Sequence, residues 1–361
     1  MATYGQLNAD NLTSSTGGVI SPNITSLRNR IINGAMVINQ RGFSGTSVDA
    51  TYSLDRWALT STQTSKYTVS QSSTAPTGFT NSILATSSSA YSVSSSDYFS
   101  INQFIEGFNT ADLGWGTANA KTVTLSFWVQ SSLTGTFGGA IVNSGTSYSY
   151  PFSYSIPVAN TWTQISITIA GPTSGTWVGA TNGVGMRIYF SLGAGTSQSG
   201  SAGSWASAFY TSATGAVSVV GTNLATFYIT GVQLEAGTTA TPFEYRQYTN
   251  ELQLCQRYYW KIYSGTYNYQ VFTILTFEAT AIAWGPVNLK VTMRTIPSAT
   301  KNGNWRVSYG TAGTFQVDNN QSGPDLIQIG WTGGSGGTPG YSSYWTASSD
   351  PTAYLAMSAE L

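Results

Sequence analysis

The side chains best suited to ligand chemistry are aromatic residues in glycine-rich segments. Tyrosine and tryptophan rings can stack on the apolar C–H faces of a sugar, while neighbouring glycine and serine let a loop adapt to its ligand. The candidate platforms are Trp331, Tyr341, Tyr344 and Trp345 in one segment, Trp115 in residues 113–117, and Trp205 in residues 203–206. The alternative for each tryptophan is packing in a core or in an interface between subunits.

Acidic residues suggest a second kind of chemistry. Glycoside hydrolysis requires two carboxylates, one on each side of the scissile bond. Asp97, Glu106 and Asp112 lie in one run that could bring carboxylates together. The alternative is a strand and a loop with solvated acids, and the chain lacks the stacked repeats of a long β-helix, the architecture of many polysaccharide-cleaving fibres. We therefore expect no catalytic residue and no enzymatic activity.

The composition excludes several other classes of function. The 361 residues include 14 Lys and Arg, 14 Asp and Glu and no His, so the formal net charge is zero and 8% of the chain is charged. So few cations leave no footprint for binding a nucleic-acid backbone. Without His, and with Cys255 as the one cysteine, the chain can form neither a zinc finger, a His-dependent catalytic centre nor an intrachain disulfide. We interpret Cys255 as a small buried apolar residue.

The first residues of the chain and its apolar segments indicate where in the cell the protein is expected. Residues 1–10 have neither the basic region nor the apolar stretch of a secretory signal. No segment approaches the roughly 18 consecutive apolar residues of a membrane span. We therefore expect synthesis in the cytoplasm, no membrane insertion, and a neutral, hydroxyl-rich surface that suits a structure used outside the cell.

Alternating polar and apolar residues predict an all-β chain. Alternation with a period of two marks half-buried strands, and it recurs at residues 122–129, 161–169, 184–190 and 225–234. Clusters of glycine, proline and serine separate these segments. Many short strands at close spacing are typical of an antiparallel β-sandwich or a barrel.

Changes in composition divide the chain into three parts. Residues 1–30 are small and polar, with Tyr4 as their one aromatic residue, and they predict an extended arm. Residues 31–246 predict one large sandwich, and residues 247–361 predict a second, smaller β domain. Shorter elements predicted in this last part are a helix (249–257), three strands (267–277, 287–291 and 304–309) and a glycine-rich loop (330–345).

Five motifs resemble those of bacteriophage tail fibres and other virion structural proteins. They are NRIINGAMVINQRG at residues 29–42, YSLDRW at 52–57, FYITGVQLEAGTTATPFEYR at 227–246, ELQLCQRYY at 251–259 and KVTMRTIPSAT at 290–300. The resemblance implies a jelly-roll sandwich like that of carbohydrate-binding modules, a place in a virion appendage, and self-association, usually as a homotrimer. It implies no particular sugar-binding residues.

Charged residues inside these motifs predict buried ion pairs, since charge is scarce and unpaired burial is costly. Asp55 and Arg56 are expected to pair and lock a strand. Glu235, Glu244 and Arg246 are interpreted in the same way. A structural Ca²⁺ held by Glu235 and backbone carbonyls is an alternative at that position, and no other cofactor is expected.

The residues and the resemblance together predict a tail fibre or a similar virion appendage that attaches to a glycan on the host surface. Residues 1–30 would dock on other virion proteins, residues 31–246 would form the body, and residues 247–361 would face the receptor. Weak glycan contacts repeated over three chains would add through multivalency. The alternatives are a purely structural capsid-decoration or tail-assembly protein and a polysaccharide depolymerase.

Overall fold

The structure is a computed structural model that describes residues 28–265, 269–308 and 313–361, together with the backbone of two short strands before them. These are β1 (Leu12–Thr13) and β2 (Val19–Ile20), which pair antiparallel. The arm predicted for residues 1–30 otherwise lies, as far as residue 27, outside the described residues. Its docking on virion proteins stays a prediction.

In the strands that follow, buried and more exposed residues alternate. In the strand at residues 67–72, for example, Tyr67 and Val69 are buried while Thr68 and Ser70 are partly exposed, as a sheet with one core face requires. The strands that follow β2 are β3 (Ser44–Thr46), β4 (Thr51–Tyr52), β5 (Ala58–Ser61), β6 (Tyr67–Ser72), β7 (Ser82–Ser87), β8 (Tyr98–Glu106), β9 (Val123–Ser131), β10 (Gly135–Asn143), β11 (Ser149–Ile156), β12 (Thr163–Ile169), β13 (Val184–Ala194), β14 (Ser199–Gly200), β15 (Ser212–Ala213) and β16 (Thr226–Ala236).

Two six-stranded antiparallel sheets enclose the larger core. Sheet I has the order β11-β10-β13-β8-β5-β4, and sheet II has the order β12-β9-β16-β7-β6-β3. Strands β7 to β10 alternate between the sheets, the hairpin β10–β11 stays in sheet I, and β11, β12, β13 and β16 alternate again, as in a jelly roll. Trp57, Phe99, Phe127, Phe190 and Phe227 are buried between them. The prediction of an antiparallel jelly-roll sandwich is therefore confirmed, and the four predicted strands correspond to β9, β12, β13 and β16.

A helix and a smaller pair of sheets complete the chain. The elements are α1 (Tyr248–Gln256), β17 (Tyr259–Tyr263), β18 (Val271–Ala279), β19 (Ile282–Asn288), β20 (Ser298–Asn302), β21 (Trp305–Val307), β22 (Thr314–Asp318), β23 (Leu326–Thr332), β24 (Ser342–Ala347) and β25 (Tyr354–Ser358). The sheet orders are β17-β25-β20 and β21-β24-β18-β19-β23-β22, around a separate core. Within the described residues, no helix is long and apolar enough to cross a membrane.

Predicted elements of this smaller unit differ in their bounds. The strand predicted at residues 267–277 is β18 (Val271–Ala279), and residues 267 and 268 lie outside the described residues. The strand predicted at residues 287–291 is the end of β19, which begins at Ile282 and ends at Asn288. The loop predicted at residues 330–345 is shorter, because β23 continues to Thr332 and β24 begins at Ser342. Pairing with β19 and β18 extends both strands into the glycine-rich segment.

Charged side chains gather where the two cores meet, in a region we call the junction. Its ion pairs are Arg41–Asp55 (3.7 Å), Arg41–Glu360 (2.9 Å), Arg56–Glu360, Arg246–Glu251 (3.3 Å), Arg246–Glu244 (3.4 Å) and Arg257–Glu106 (2.6 Å). Three of these six, Arg41–Glu360, Arg56–Glu360 and Arg257–Glu106, join residues more than 150 positions apart. Scarce charge is therefore used to fix the sandwich against the C-terminal sheets.

The junction corrects one expectation and agrees with another. Asp55 and Arg56 are both buried, but they do not pair with each other. Asp55 accepts hydrogen bonds from the backbone and side chain of Gln40, while Arg56, at a positive φ of 71°, reaches Glu360. Neighbouring residues here serve different partners. Cys255 is fully buried, and burial raises the pKa of its thiol, which fits the interpretation as a small apolar residue.

Candidate functional site

Two of the predicted platforms lie inside the C-terminal core. Trp345 is fully buried and Trp331 is 5% exposed. Trp345 stacks on Trp305 with ring centroids 4.3 Å apart and an interplanar angle of 22°. Both belong to strands rather than to the predicted loop, so their rings are covered by the core. The expectation that they form a ligand platform is wrong, and the alternative of core packing describes them.

The two tyrosines of the same segment are exposed. Tyr341 is 68% and Tyr344 47% exposed. Tyr344 lies opposite Ile274 on the neighbouring strand, and Ile274 is itself 52% exposed. Further along this face, Trp284 lies against Gly330, where an added Cβ would come within 2.3 Å of the indole. Tyr344 and Trp284 place aromatic rings on this face, and the role predicted for the tyrosines stays a prediction.

Trp115 and Trp205 belong to one cluster on the sandwich. Trp115 contacts Trp177 and Trp205 edge to face, with centroids 4.8 and 5.5 Å apart, and it is 7% exposed. Trp205 is half-buried and stacks on Tyr148 at 5.6 Å. The indole N–H groups of Trp115 and Trp205 donate to the carbonyls of Lys121 and Ala170. Trp115 therefore serves packing, and Trp205 alone of the two keeps an accessible ring.

A cleft on the outer face of sheet I combines rings with unpaired polar groups. Residues on neighbouring strands lie side by side there, since Asn102 faces both Ala58 and Tyr189, and Phe104 faces Arg187. The cleft has a volume of about 270 Å³, just below the roughly 300–1,000 Å³ of small-ligand sites. Asp49, an exposed residue, lines it as well.

Aromatic rings form the walls and the floor of the cleft. Tyr98 and Phe104 are half-buried, and Tyr189 is 3% exposed. Phe209 supports two of these rings edge to face, with centroids 5.5 Å from Tyr98 and 6.1 Å from Tyr189. It belongs to the segment of β14 and β15, which covers the neighbouring part of sheet I over Gly138, where an added Cβ would lie 2.8 Å from the nitrogen of Ala213. The half-buried rings can therefore stack on a ligand while the buried ones hold them.

The polar groups of the cleft are only partly satisfied. Asn102 is fully buried, and its Nδ2 donates to Thr60 Oγ1 at 2.8 Å. Its Oδ1 and the Nε of Arg187 are buried without a partner in the described part of the chain. Buried polar atoms are nearly always hydrogen-bonded, so each of these two requires a partner that an ordered water or a ligand group can supply. Burial raises the pKa of Tyr98 and of Tyr189, which keeps both phenols neutral and able to donate.

Sequence reasoning missed this cleft. Spacing by two places Tyr98, Asn102 and Phe104 on one face of β8, and Arg187 and Tyr189 on one face of β13. Within each strand this mixture of rings and polar groups is visible in the sequence. The pairing of β8 with β13, more than 80 residues later, is not visible there, and it alone brings the two sets together.

The three acids considered for catalysis are engaged elsewhere. Asp97 precedes β8 and Glu106 ends it, so about nine residues, or about 30 Å, separate them, against the roughly 5–9.5 Å of paired glycosidase carboxylates. Asp97 accepts from Tyr91 Oη at 2.7 Å, and Asp112 pairs with Arg30 at 2.7 Å. The structure does not bring Asp97 and Glu106 together.

The Glu235 turn offers little to a metal ion. Glu235 is buried, and its carboxylate accepts from Gln233 Nε2 at 2.9 Å and from the backbone and hydroxyl of Thr241 at 2.8 and 2.7 Å. No group of three or more metal-ligating side chains occurs among residues 28–265, 269–308 and 313–361. Glu235 therefore closes the turn after β16 with protein donors, and not with the basic partner that the sequence suggested.

No protein-family model matches the sequence, and no curated protein matches it significantly. Solved structures with some likeness include a sugar-binding protein from Bacteroides thetaiotaomicron (TM-score 0.35, 12% identity, 58% of this chain and 100% of that chain). Others are the enzymatically active domain of tailspike protein 4 from bacteriophage CBA120 (0.33, 14%, 58% and 21%) and the carbohydrate-binding module TmCBM61 with β-1,4-galactotriose (0.30, 12%, 58% and 99%). These TM-scores are too low to support a fold assignment, so the assignment of a jelly roll rests on the strand order described above.

Proposed function

We propose that this chain is a virion appendage protein, a tail fibre or similar, that attaches to a glycan through the cleft on sheet I. The virion role is supported by the five motifs shared with bacteriophage structural proteins. Glycan binding is supported by the cleft itself. Attachment without bond cleavage is part of the proposal, as is action outside the cell on the assembled virion.

The unpaired Oδ1 of Asn102 between aromatic rings is the observation that carries the proposal. A sugar offers apolar faces to Tyr98 and Phe104 and hydroxyl donors to a buried amide oxygen. Ligand sites of this kind have mostly apolar walls with a few fixed polar groups. Repetition over several chains would raise a weak affinity through multivalency.

A glycan array probed with the full chain, followed by titration of the bound glycan, tests the proposal. Tyr98→Ala and Phe104→Ala should each weaken binding by about tenfold, or roughly 1.4 kcal/mol. Tyr248→Ala is the matched control, because Tyr248 is 63% exposed outside the cleft and its loss should leave affinity unchanged.

Two results would count against the cleft. An array with no bound glycan would contradict glycan attachment. Affinity that survives both cleft variants but is lost in Tyr341→Ala or Tyr344→Ala would move the site to the C-terminal face, as the sequence predicted.

A purely structural virion protein is the second candidate, favoured by the junction. Ion pairs across two cores make one stiff unit, which suits decoration or assembly as well as attachment. Labelling of intact particles with an antibody against this chain separates the two, since label on the capsid rather than on the tail would favour decoration.

Self-association as a homotrimer belongs to the same proposal. Tyr344 and Ile274 lie opposite each other and are exposed in the single chain, and exposed apolar side chains that lie together favour association. Light scattering at micromolar concentration should give three times the 38.3 kDa chain mass. A stable monomer mass would contradict this part of the proposal.

A further inference from the structure

Arg187 differs from the arginines of the junction. Arg41, Arg56, Arg246 and Arg257 each contact a carboxylate. Arg187 forms no ion pair with any described Asp or Glu. Asp49 lines the same cleft, but it does not lie within ion-pair distance of Arg187.

The guanidinium of Arg187 is held in place by neutral groups. Its Nη2 donates to the carbonyl of Ser144 at 2.9 Å, and its central carbon lies 4.9 Å from the centroid of the Phe104 ring. Its Nε is buried without a partner. Arg56 also has a buried Nε without a partner, but Glu360 meets its charge. Arg187 is thus oriented in advance by these contacts, and it lines the cleft.

We propose that the cleft selects glycans carrying a carboxylate on the sugar ring, and that Arg187 binds this carboxylate. This rests on the proposed function, because it names the class of glycan that the same cleft takes. A guanidinium matches the planar carboxylate with parallel N–H donors. The unpaired Asn102 Oδ1 lines the same cleft and accepts from a sugar hydroxyl.

Asp49 fixes the direction in which such a sugar enters. Asp49 is exposed, lines the cleft, and accepts from the backbone N–H of Ser61 at 3.2 Å. Its charge repels an anion at that side and is screened by water there. The acidic edge of the sugar therefore points toward Arg187, and a hydroxyl edge faces Asp49.

The test uses the full chain on an array of neutral, carboxylated and sulfated glycans. Carboxylated glycans should dominate the bound set. In titration, the methyl ester of a bound glycan should bind about tenfold more weakly than the free acid. Arg187→Gln should abolish this difference, while Arg306→Gln, which changes an exposed arginine of the C-terminal sheets, should preserve it.

The ester comparison uses the unaltered protein, so it stands even if the Arg187 variant fails to fold. Equal binding of acid and ester, or a bound set that is mainly neutral or sulfated, would overturn the inference while leaving glycan attachment intact. No bound glycan of any class would overturn the proposed function as well.

Discussion

The junction and the cleft differ in whether their arginines meet a carboxylate. At the junction Arg41, Arg56, Arg246 and Arg257 each meet a carboxylate, as Arg56 meets Glu360 and Arg257 meets Glu106. In the cleft, Arg187 has no carboxylate and Asn102 keeps a free oxygen. Polar groups that are paired within the protein stabilise the fold, whereas polar groups without a protein partner can still accept or donate a hydrogen bond to another molecule. The difference separates residues that hold this chain from residues free to recognise something else.

The largest effect is expected from breaking the junction. Arg56→Met leaves the carbonyl of Phe104 without this donor and Glu360 with Arg41 as its remaining cationic partner, and loss of one member of a buried pair costs up to about 3–5 kcal/mol. Urea unfolding should show this loss in the free energy of unfolding. Arg306→Met at the surface should change it by less than about 0.5 kcal/mol.

The double variant Arg56→Met, Glu360→Leu sharpens the same point. Replacing a buried ion pair by apolar residues is often nearly neutral, so the double variant should regain part of the lost stability, while Arg41 loses Glu360 and keeps Asp55. If Arg56→Met alone cost less than about 1 kcal/mol, the ion pairs would not be what fixes the two cores.

A smaller effect is expected from two carboxylates with opposite pKa shifts. For Asp97, burial alone would raise the pKa, but hydrogen bonds from Tyr91, Ser94 and Thr62 outweigh it and lower the pKa. For Asp55, burial outweighs Arg41 and raises the pKa. Asp97 therefore adds stability above the ordinary Asp pKa, near 3.9, that is lost as the pH falls. Asp55 adds stability as the pH falls.

Unfolding free energies measured between pH 6 and pH 3 test these signs. Asp97→Asn should be less stable at pH 6 by about 1–3 kcal/mol, and its disadvantage should shrink toward pH 3. Asp55→Asn should steepen the loss of stability in acid. Parallel pH profiles for both variants and the unaltered chain would contradict the two assigned directions.

Local patterns in the sequence predicted much of this fold but little of the site. Period-two alternation located β9, β12, β13 and β16, because a strand between core and solvent records its burial in its own residues. The platform role assigned to Trp331 and Trp345 failed because glycine neighbours suggested a loop where two strands continue. Whether a ring faces a core or solvent depends on the facing sheet.

The partners of the polar side chains also could not be predicted from local sequence patterns. Asp55 and Arg56 looked like a pair because they are adjacent, yet Arg56 pairs with a residue 304 positions later. The cleft likewise needs β5, β8 and β13 in register. A sequence without aligned relatives holds no record of such distant pairings.

The smallest predicted effect compares two buried serines. Ser100 lies on the same face of β8 as Asn102, and its Oγ is buried without a partner. The Oγ of Ser131, also buried, donates to the carbonyl of Thr226 at 2.6 Å and accepts from the N–H of Leu133 at 3.1 Å. Removing a hydroxyl that makes no bond also removes the cost of burying it, whereas removing a bonded one leaves its partners unsatisfied.

Ser100→Ala should therefore leave the free energy of unfolding unchanged or raise it slightly, while Ser131→Ala should lower it by about 1–3 kcal/mol. Urea unfolding of both variants beside the unaltered chain measures the difference. Equal losses would mean that Ser100 is satisfied by ordered water, and the unpaired oxygen of Asn102 on the same face would then require the same explanation. If Ser100→Ala is neutral and Ser131→Ala is costly, the unpaired hydroxyl on the cleft face does not contribute to the stability of the fold.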